Sequence, residues 1–197
     1  DGDSVNDFAV HRPNSRVQAF SGATGALLWS GPSPASVIQP RVAGIGQDVD
    51  GDGLPDLAEI GFGNDGMTGM FVVRMLSGSS GAQIWELFFG QSPRALDLAA
   101  ITDSNGNGIF DVVVSLDGFS LLVLEGVDGS TIKSISVEAT IPAPIIENVG
   151  DVDGDGIEDI AVGSPSGTDQ FGATTGTVAV YSTAASALIW SVPGQPG

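Results

Sequence analysis

An acidic nine-residue motif recurs in tandem and constrains the fold of this chain more than any other feature. It reads DVDGDGLPD from Asp48, DSNGNGIFD from Asp103 and DVDGDGIED from Asp151, and a copy without its first two positions begins at Asp1. Its closing aspartates are Asp7, Asp56, Asp111 and Asp159. Copies spaced by about 50 residues indicate one structural unit repeated along the chain.

A second motif recurs in phase with the first: an apolar run, a turn of small residues and another apolar run. It reads VQAFSGATGALLW, VRMLSGSSGAQIW, LLVLEGVDGSTIK and VAVYSTAASALIW, ending at Trp29, Trp85, Lys133 and Trp190. This pattern predicts a β-hairpin in every repeat. The third copy replaces the tryptophan by lysine, and we read the fourth as replacing the turn glycine by Ala185.

One repeat contains enough apolar segments for four short strands. In the last repeat the predicted strands are Pro144 to Val149, Ile160 to Gly163, Thr177 to Tyr181 and Ala187 to Val192. Four short strands in a tandem unit of about 50 residues are typical of a β-propeller blade, whereas β-solenoid repeats are shorter. The sequence therefore predicts an all-β fold of four-stranded antiparallel blades within residues 1–197. The predicted blades are 1–36 (incomplete), 37–90, 91–140 and 141–197.

The spacing of the acidic motif predicts a calcium loop. Alternate positions place side-chain oxygens on one side of a tight turn, the sixth position favours glycine, and the seventh offers a backbone carbonyl. Hard oxygen ligands suit Ca²⁺. The predicted ligands are Asp48, Asp50, Asp52, Asp56 and the Leu54 carbonyl; Asp103, Asn105, Asn107, Asp111 and the Ile109 carbonyl; Asp151, Asp153, Asp155, Asp159 and the Ile157 carbonyl. An incomplete fourth site has Asp1, Asp3 and Asp7, with Ser4 at the glycine position.

Two other interpretations of the acidic motif are less favoured. Asp, Asn and Gly also form ordinary turns, but three complete copies in phase argue against turn formation alone. An EF-hand needs flanking helices and an acid at position twelve. That position is Glu59 in one complete loop but Val114 and Val162 in the other two, and the β-branched residues after the loops favour strands.

Composition excludes several classes of function. The net charge is -18, from 24 acidic and 6 basic residues, so the chain cannot present the basic surface that nucleic acids need. No apolar run approaches the roughly 18 residues of a membrane-spanning helix, so membrane insertion is not predicted. The absence of cysteine excludes thiolate chemistry, and His11 is the only histidine.

The last acidic loop and the segment that follows it, IAVGSP at 160–165, resemble the FG-GAP repeat of integrin α-subunit propellers and many secreted bacterial proteins. In that family a calcium loop leads into a strand ending in Gly-Ala-Pro, for which Gly163, Ser164 and Pro165 stand here. The resemblance implies an extracellular or cell-surface location and a propeller of about seven blades. Four blades can close a ring in some propellers. Further blades in a longer chain, or self-association, are the other ways to complete the ring.

Two functional classes remain open at this point. The first is a non-enzymatic, calcium-stabilised extracellular propeller for adhesion, binding or surface assembly, with an unidentified protein or glycan ligand. The alternative is an enzyme propeller, because the TG-x-x-x-W pattern at Thr24 to Trp29 resembles quinoprotein dehydrogenases that carry pyrroloquinoline quinone. No catalytic motif is present, and we favour the non-enzymatic class. Asp97 and Glu147, in predicted first strands, are expected on a solvated face.

Overall fold

The computed structural model describes residues 1–12, 16–31, 41–64, 69–89, 95–117, 120–137, 145–164 and 176–194. Within these ranges all regular secondary structure is β-strand. The strands are β1 (Phe8–Arg12), β2 (Arg16–Phe20), β3 (Leu27–Ser30), β4 (Arg41–Gly44), β5 (Leu57–Asn64), β6 (Gly69–Leu76), β7 (Gln83–Phe89), β8 (Ala95–Ile101), β9 (Asp111–Leu116), β10 (Ser120–Leu124), β11 (Thr131–Ser136), β12 (Ile145–Asn148), β13 (Ile160–Ser164), β14 (Thr177–Ser182) and β15 (Ala187–Pro193). No helix among the described residues is long and apolar enough to cross a membrane.

The strands form four antiparallel sheets, each built from strands consecutive in sequence. The first contains β1 to β3, and the other three contain β4 to β7, β8 to β11 and β12 to β15. Short strands joined by hairpins form such sheets because each strand pairs with its neighbour in sequence. The prediction of four-stranded blades is thus confirmed for three repeats, and the first sheet has three strands in the described part. In the last repeat the predicted strand ends agree with the observed ones within one residue, except that the predicted start at Pro144 lies outside the described residues.

The last two strands pair with the same register in all four sheets. The residues facing each other are Ala19 and Trp29, Met75 and Trp85, Val123 and Lys133, and Val180 and Trp190. A register shift follows each of these pairs. Lys133 therefore has the same strand register as the tryptophans, in addition to the same position in the sequence motif. The turn residue with positive φ is Gly25, Gly81 and Gly129 in the first three sheets and Ser186 in the last. Ser186, and not Ala185 as the sequence suggested, therefore stands in place of the turn glycine.

The chain divides into two compact units. The first comprises residues 1–92 with 126–129, and its apolar core includes Val17, Trp29 and Leu76. The second comprises 93–125 with 130–197, and its core joins the third and fourth sheets. Its core residues are Ala99, Ile101, Val113, Leu121, Val123, Ile135, Val137, Ile146, Ile160, Val162, Ala179 and Tyr181.

Asp97 departs from the expectation of a solvated strand face. Its side chain is buried, and its Oδ2 accepts a hydrogen bond of 3.1 Å from the Ile146 backbone nitrogen. A carboxylate there offers an acceptor to β12, so the interpretation of Asp97 as a solvent-facing residue is wrong. Glu147, by contrast, is exposed.

Candidate metal centre

In the second and last repeats, backbone hydrogen bonds hold the two ends of the acidic loop together. In the second repeat the Ile45 nitrogen donates to the Asp56 carbonyl at 3.0 Å, and the Asp56 nitrogen donates to the Gln47 carbonyl at 2.9 Å. The last repeat has the same pair of bonds, between Val149 and Asp159 at 3.0 Å and from Asp159 to Gly150 at 2.9 Å. The loop therefore begins and ends at one fixed point of the sheet.

The aspartate that opens each complete loop organises the turn that follows. Oδ1 of Asp48 accepts from the Gly51 nitrogen at 2.7 Å, and Oδ2 accepts from the Gly53 nitrogen at 2.7 Å. Asp103 and Asp151 accept the equivalent bonds in their own loops. The backbone donors wrap the chain around one carboxylate, as in an Asx turn. In the third loop the bond from Gly108 has the largest effect and, with the other backbone bonds, lowers the pKa of Asp103 against the opposing effect of burial.

The sixth position of the loop has the backbone conformation that the sequence predicted. The φ angles are 96° at Gly53, 88° at Gly108 and 95° at Gly156, in the left-handed region where a Cβ atom is unfavourable. Ser4 takes the same kind of conformation in the first loop, with φ of 69°. The amide of the next residue donates back to the fifth side chain in each complete loop, from Leu54, Ile109 and Ile157. Coordination by the carbonyls of these three residues stays a prediction.

Three groups of carboxylates converge. Within each group, one oxygen of each side chain lies within 4.8 Å of the others. The groups are Asp48, Asp50 and Asp56; Asp151, Asp153 and Asp159; and Asp1, Asp3 and Asp7. The predicted ligands at positions one, three and nine are therefore brought together in two complete loops, and the incomplete loop gathers the acids it has.

In two of the three complete loops, the acid at position five accepts hydrogen bonds from the neighbouring hairpin turn. Oδ2 of Asp52 accepts from the hydroxyls of Ser77 and Ser79 at 2.8 and 2.5 Å. These bonds, with the larger effect from Ser79, lower the pKa of Asp52. Asp155 accepts from Ser182 at 3.3 Å in the same way. The two aspartates thus lie outside the converging groups, although the sequence assigned them as ligands.

The closing aspartate is the buried member of each complete loop. Oδ1 of Asp56 accepts from the Gly78 nitrogen at 2.8 Å, and Oδ2 accepts from the Val49 nitrogen at 2.7 Å. Burial raises the pKa of Asp56 in spite of these bonds. Among the described residues, no lysine or arginine side chain forms a salt bridge with Asp56 or Asp159. A buried carboxylate of this kind gains from a bound cation.

The third loop contains a residue that the sequence analysis missed. The Asn105 side-chain nitrogen donates to a carboxylate oxygen of Glu125, at the start of the turn between β10 and β11. Asn107 has the same local role as Asp52, because its side-chain oxygen accepts from the Ile109 nitrogen at 2.8 Å. Glu125 occupies the position of Ser77 and Ser182 in the aligned hairpins, and that alignment was the available signal. The loop therefore has a third carboxylate nearby, in addition to Asp103 and Asp111.

The donor chemistry fits a hard divalent cation. The complete loops offer carboxylate oxygens, with amide oxygens in the third, and Ca²⁺ accepts six to eight oxygen ligands in a flexible arrangement. A cation would also relieve the repulsion between carboxylates held within 4.8 Å of one another. The acidic clusters are thus able to bind a metal ion.

Comparison with known families agrees with this geometry. Residues 148–181 match the model of the FG-GAP repeat, a segment that contains the fourth acidic loop, β13 and most of β14. The resemblance inferred from the sequence is confirmed for this repeat. No curated protein matches this sequence significantly.

Solved structures of β-propellers resemble the chain in fold. Sqt1 from Saccharomyces cerevisiae has a TM-score of 0.63 at 15% identity, over 95% of this chain and 47% of that one. BBS1N in complex with ARL6DN has 0.60 at 11%, over 95% and 50%, and BamB from Moraxella catarrhalis has 0.57 at 14%, over 95% and 45%. The chain spans about half the length of these structures. The similarity shows a β-propeller fold.

Proposed function

We propose that this chain is a non-enzymatic β-propeller, stabilised by Ca²⁺, that acts outside the cell in adhesion, ligand binding or surface assembly. The observation that carries the proposal is the buried closing aspartate, seen at Asp56 and Asp159 beside converging carboxylates. A buried carboxylate without a salt bridge is costly, and a divalent cation is the group that would compensate it.

Some loop residues would bind the ion, and others would fix the conformation of the loop. Asp48 or Asp151 shapes the turn through its backbone donors, while the third and ninth positions supply converging charge. The ninth carboxylate also joins the loop to the hairpin turn through the Gly78 or Thr183 nitrogen. Bound Ca²⁺ would supply positive charge at this junction. Ion binding would therefore stiffen both segments.

The extracellular location rests on the FG-GAP repeat at residues 148–181, which is typical of extracellular proteins. Calcium loops of extracellular modules need only modest affinity, with dissociation constants of about 0.1 to 1 mM. The partner would be a protein or glycan contacted by loops, because propellers use their exposed loops for binding.

The test is a calcium titration of chelated protein, followed by calorimetry and thermal melting. We expect at least three bound ions per chain. A hundredfold excess over the dissociation constant adds about 2.7 kcal/mol per site, which raises the melting temperature by roughly 5 to 10 °C for a chain of this size. Mg²⁺ at the same concentration is the control, because its octahedral geometry suits these loops less well.

Two results would contradict the proposal. An unchanged melting curve in EDTA, after metal analysis has confirmed removal, would exclude calcium stabilisation. A visible absorption band that copurifies with the protein would favour the quinone-dependent enzyme instead.

A further inference from the structure

The hairpin turn of one sheet receives a side chain from the preceding sheet at each junction that the structure describes. The indole Nε1 of Trp29 donates to the Gly78 carbonyl at 2.7 Å, and Nε1 of Trp85 donates to the Gly126 carbonyl at 2.7 Å. Lys133 donates from Nζ to the Thr183 carbonyl at 2.9 Å. Gly78, Gly126 and Thr183 are the second residues of equivalent turns. At each of the three junctions, a side-chain N–H group of one sheet therefore donates to the equivalent turn carbonyl of the next sheet.

A glycine in the turn makes room for the tryptophan ring. A Cβ added to Gly81 would lie 2.4 Å from the Trp29 ring, and one added to Gly129 would lie 2.7 Å from the Trp85 ring. Both rings are consequently buried, each with 8% of its surface exposed. The turn is a slot for the ring, with a carbonyl acceptor at one end.

The last sheet has a tryptophan that fills no slot. Trp190 has the register of Trp29 and Trp85, but it is 43% exposed, and its Nε1 has no hydrogen-bond partner among the described residues. Val178, on the same face of that sheet, is 47% exposed, whereas its counterparts Val17 and Val73 are buried. This face of the last sheet has the residues of a packing surface, and no other described strand covers Trp190 or Val178.

The first sheet has a slot that holds no tryptophan. An added Cβ at Gly25, the counterpart of Gly81 and Gly129, would meet no atom within 4 Å. Phe8 and Val10, on the face that corresponds to buried Ile160 and Val162, are 50% and 37% exposed. Phe8 stacks on Phe20 at 5.5 Å and so forms an apolar floor beside the slot. The two exposed faces are the two halves of the contact that the chain repeats three times.

We propose that a second copy of this chain docks head to tail, with Trp190 of one copy in the turn of Ser21 to Gly25 of the other. The indole would donate to the Gly22 carbonyl, and Val178 would cover Phe8 and Val10. Such a contact is heterologous, because it joins two different faces. The proposal goes beyond calcium binding and does not depend on it.

The net charge of -18 sets the expected salt dependence. Copies of this chain repel each other at low ionic strength, while the docking faces are apolar and attract through burial. Added salt screens the repulsion, so association should strengthen with salt. A contact driven by opposite charges would weaken instead.

Sedimentation of the 197-residue chain in saturating Ca²⁺ at moderate salt tests the proposal. We expect dimers or larger species for the wild-type chain at concentrations up to about 100 µM. Trp190→Ala should raise the dissociation constant at least tenfold, as for a central aromatic residue of an interface. Val10→Asp should do the same from the opposite face, because it places a charge in an apolar contact.

Mixing distinguishes a specific contact from general stickiness. The Trp190→Ala chain keeps the slot, and the Val10→Asp chain keeps the tryptophan, so an equimolar mixture should form a one-to-one dimer and nothing larger. Leu188→Ala is the matched control. Its counterpart Leu27 stays exposed although Trp29 of the same strand is buried against the next turn, so this position is outside the contact. The Leu188→Ala chain should associate like the wild type, and circular dichroism should show that all variants are folded.

Three results would overturn the proposal. They are a monomeric wild-type chain, which would leave the face to a different partner; undiminished association of Trp190→Ala; and a mixture that stays monomeric. Failure of calcium binding would appear in the titration of the single chain and not in these comparisons, so the two proposals fail separately.

Discussion

The backbone nitrogen of Gly78 lies 2.8 Å from Oδ1 of Asp56, so a hairpin turn donates to the last carboxylate of an acidic loop. The same bond joins Gly22 to Asp7 at 3.0 Å and Thr183 to Asp159 at 3.4 Å. Loop and turn are separated by two strands in the sequence. The turn therefore helps to set the geometry of the candidate metal centre.

Gly78→Ala tests the close approach of these two segments. Its new Cβ would lie 1.8 Å from the Pro55 carbonyl oxygen, so either the turn or the loop must move. We expect a loss of about 3 kcal/mol in the free energy of unfolding, at the upper end of typical overpacking costs. Urea denaturation measures it. Gly44→Ala is the control, because its Cβ would meet only Leu57 at 4.0 Å and should cost little.

Asp56→Asn tests whether the buried carboxylate binds an ion. The substitution keeps the size of the side chain but removes its charge, so calorimetry should show one fewer Ca²⁺ per chain. The variant should also lose less stability in EDTA than the wild type. Glu147→Gln removes one charge from an exposed strand position and is the control. Equal calcium stoichiometry in Asp56→Asn and the wild type would exclude Asp56 as a ligand.

The third loop is predicted to be the weakest of the three complete sites. It has the carboxylates of Asp103 and Asp111, with Glu125 nearby, whereas each of the other complete loops has three converging aspartates and a fourth at position five. Ligand charge is one determinant of affinity in calcium loops. We therefore expect Asp111→Ala to remove the weakest binding event, and Asp56→Ala and Asp159→Ala to remove tighter ones. Loss of the tightest event in Asp111→Ala would contradict the ranking.

Glu125→Ser tests the contribution of the carboxylate that the structure adds to the third loop. Serine is the residue at this position in the other three repeats, so the substitution should preserve the turn. We expect a several-fold loss of calcium affinity at that loop and no change at the others. Calorimetry in the background of Asp56→Ala and Asp159→Ala would isolate the event. An unchanged dissociation constant would show that Glu125 acts only on Asn105.

A buried ion pair in the second sheet gives a prediction about stability. Glu59 accepts from Arg74 at 2.9 Å and lies 3.2 Å from Nε2 of His11, with all three side chains largely enclosed. Glu59→Val should cost about 3 to 5 kcal/mol, because it leaves the arginine charge buried without its partner. Thermal or urea unfolding measures the loss.

The repeats supply the control for that experiment. Glu59 faces Arg74 across the strands, and the aligned pair in the third sheet is Val114 facing Leu122. The double variant Glu59→Val with Arg74→Leu should therefore recover most of the lost stability. If the double variant is as unstable as Glu59→Val alone, the cost does not come from an unpaired charge.

Ser186→Gly is expected to stabilise the last hairpin. Ser186 has φ of 55°, and the three aligned residues in the other turns are glycines with φ of 69° to 75°. Relief of this conformation should gain about 1 kcal/mol, partly offset by the greater freedom of glycine in the unfolded chain. A rise of a few degrees in the melting temperature would agree with this, and a fall would show that the serine side chain stabilises the turn.

The periodic features were predictable from the sequence because they depend on local rules. Alternation of apolar residues and the glycine turns located the strands of the last repeat to within one residue. The sixth position of the acidic loop needed left-handed backbone, and Gly53, Gly108 and Gly156 have it. These features recur because each repeat has the same local sequence pattern and therefore adopts the same local conformation.

The features that escaped sequence analysis depend on contacts between segments distant in the chain. From the sequence alone, Asp97 cannot be distinguished from an exposed acidic strand residue, because its hydrogen bond with Ile146 joins two distant segments. Asp52 matches the ligand pattern as well as Asp50 does, and the sequence does not show that Ser77 and Ser79 donate to it. The exposure of Trp190 was also not predictable, since Trp190 and buried Trp85 end the same hairpin motif.

The contact between a tryptophan and the next turn also has a consequence for how such a protein changes in length during evolution. Trp29 and Trp85 use the same atoms of the turn, and Lys133 reaches the same carbonyl with a different side chain. Duplication or deletion of one whole repeat would therefore join surfaces that already match, and no new kind of interface would have to arise. Stability in such arrays is set mainly by neighbouring repeats. The number of repeats can then drift between descendants while the junction itself stays the same.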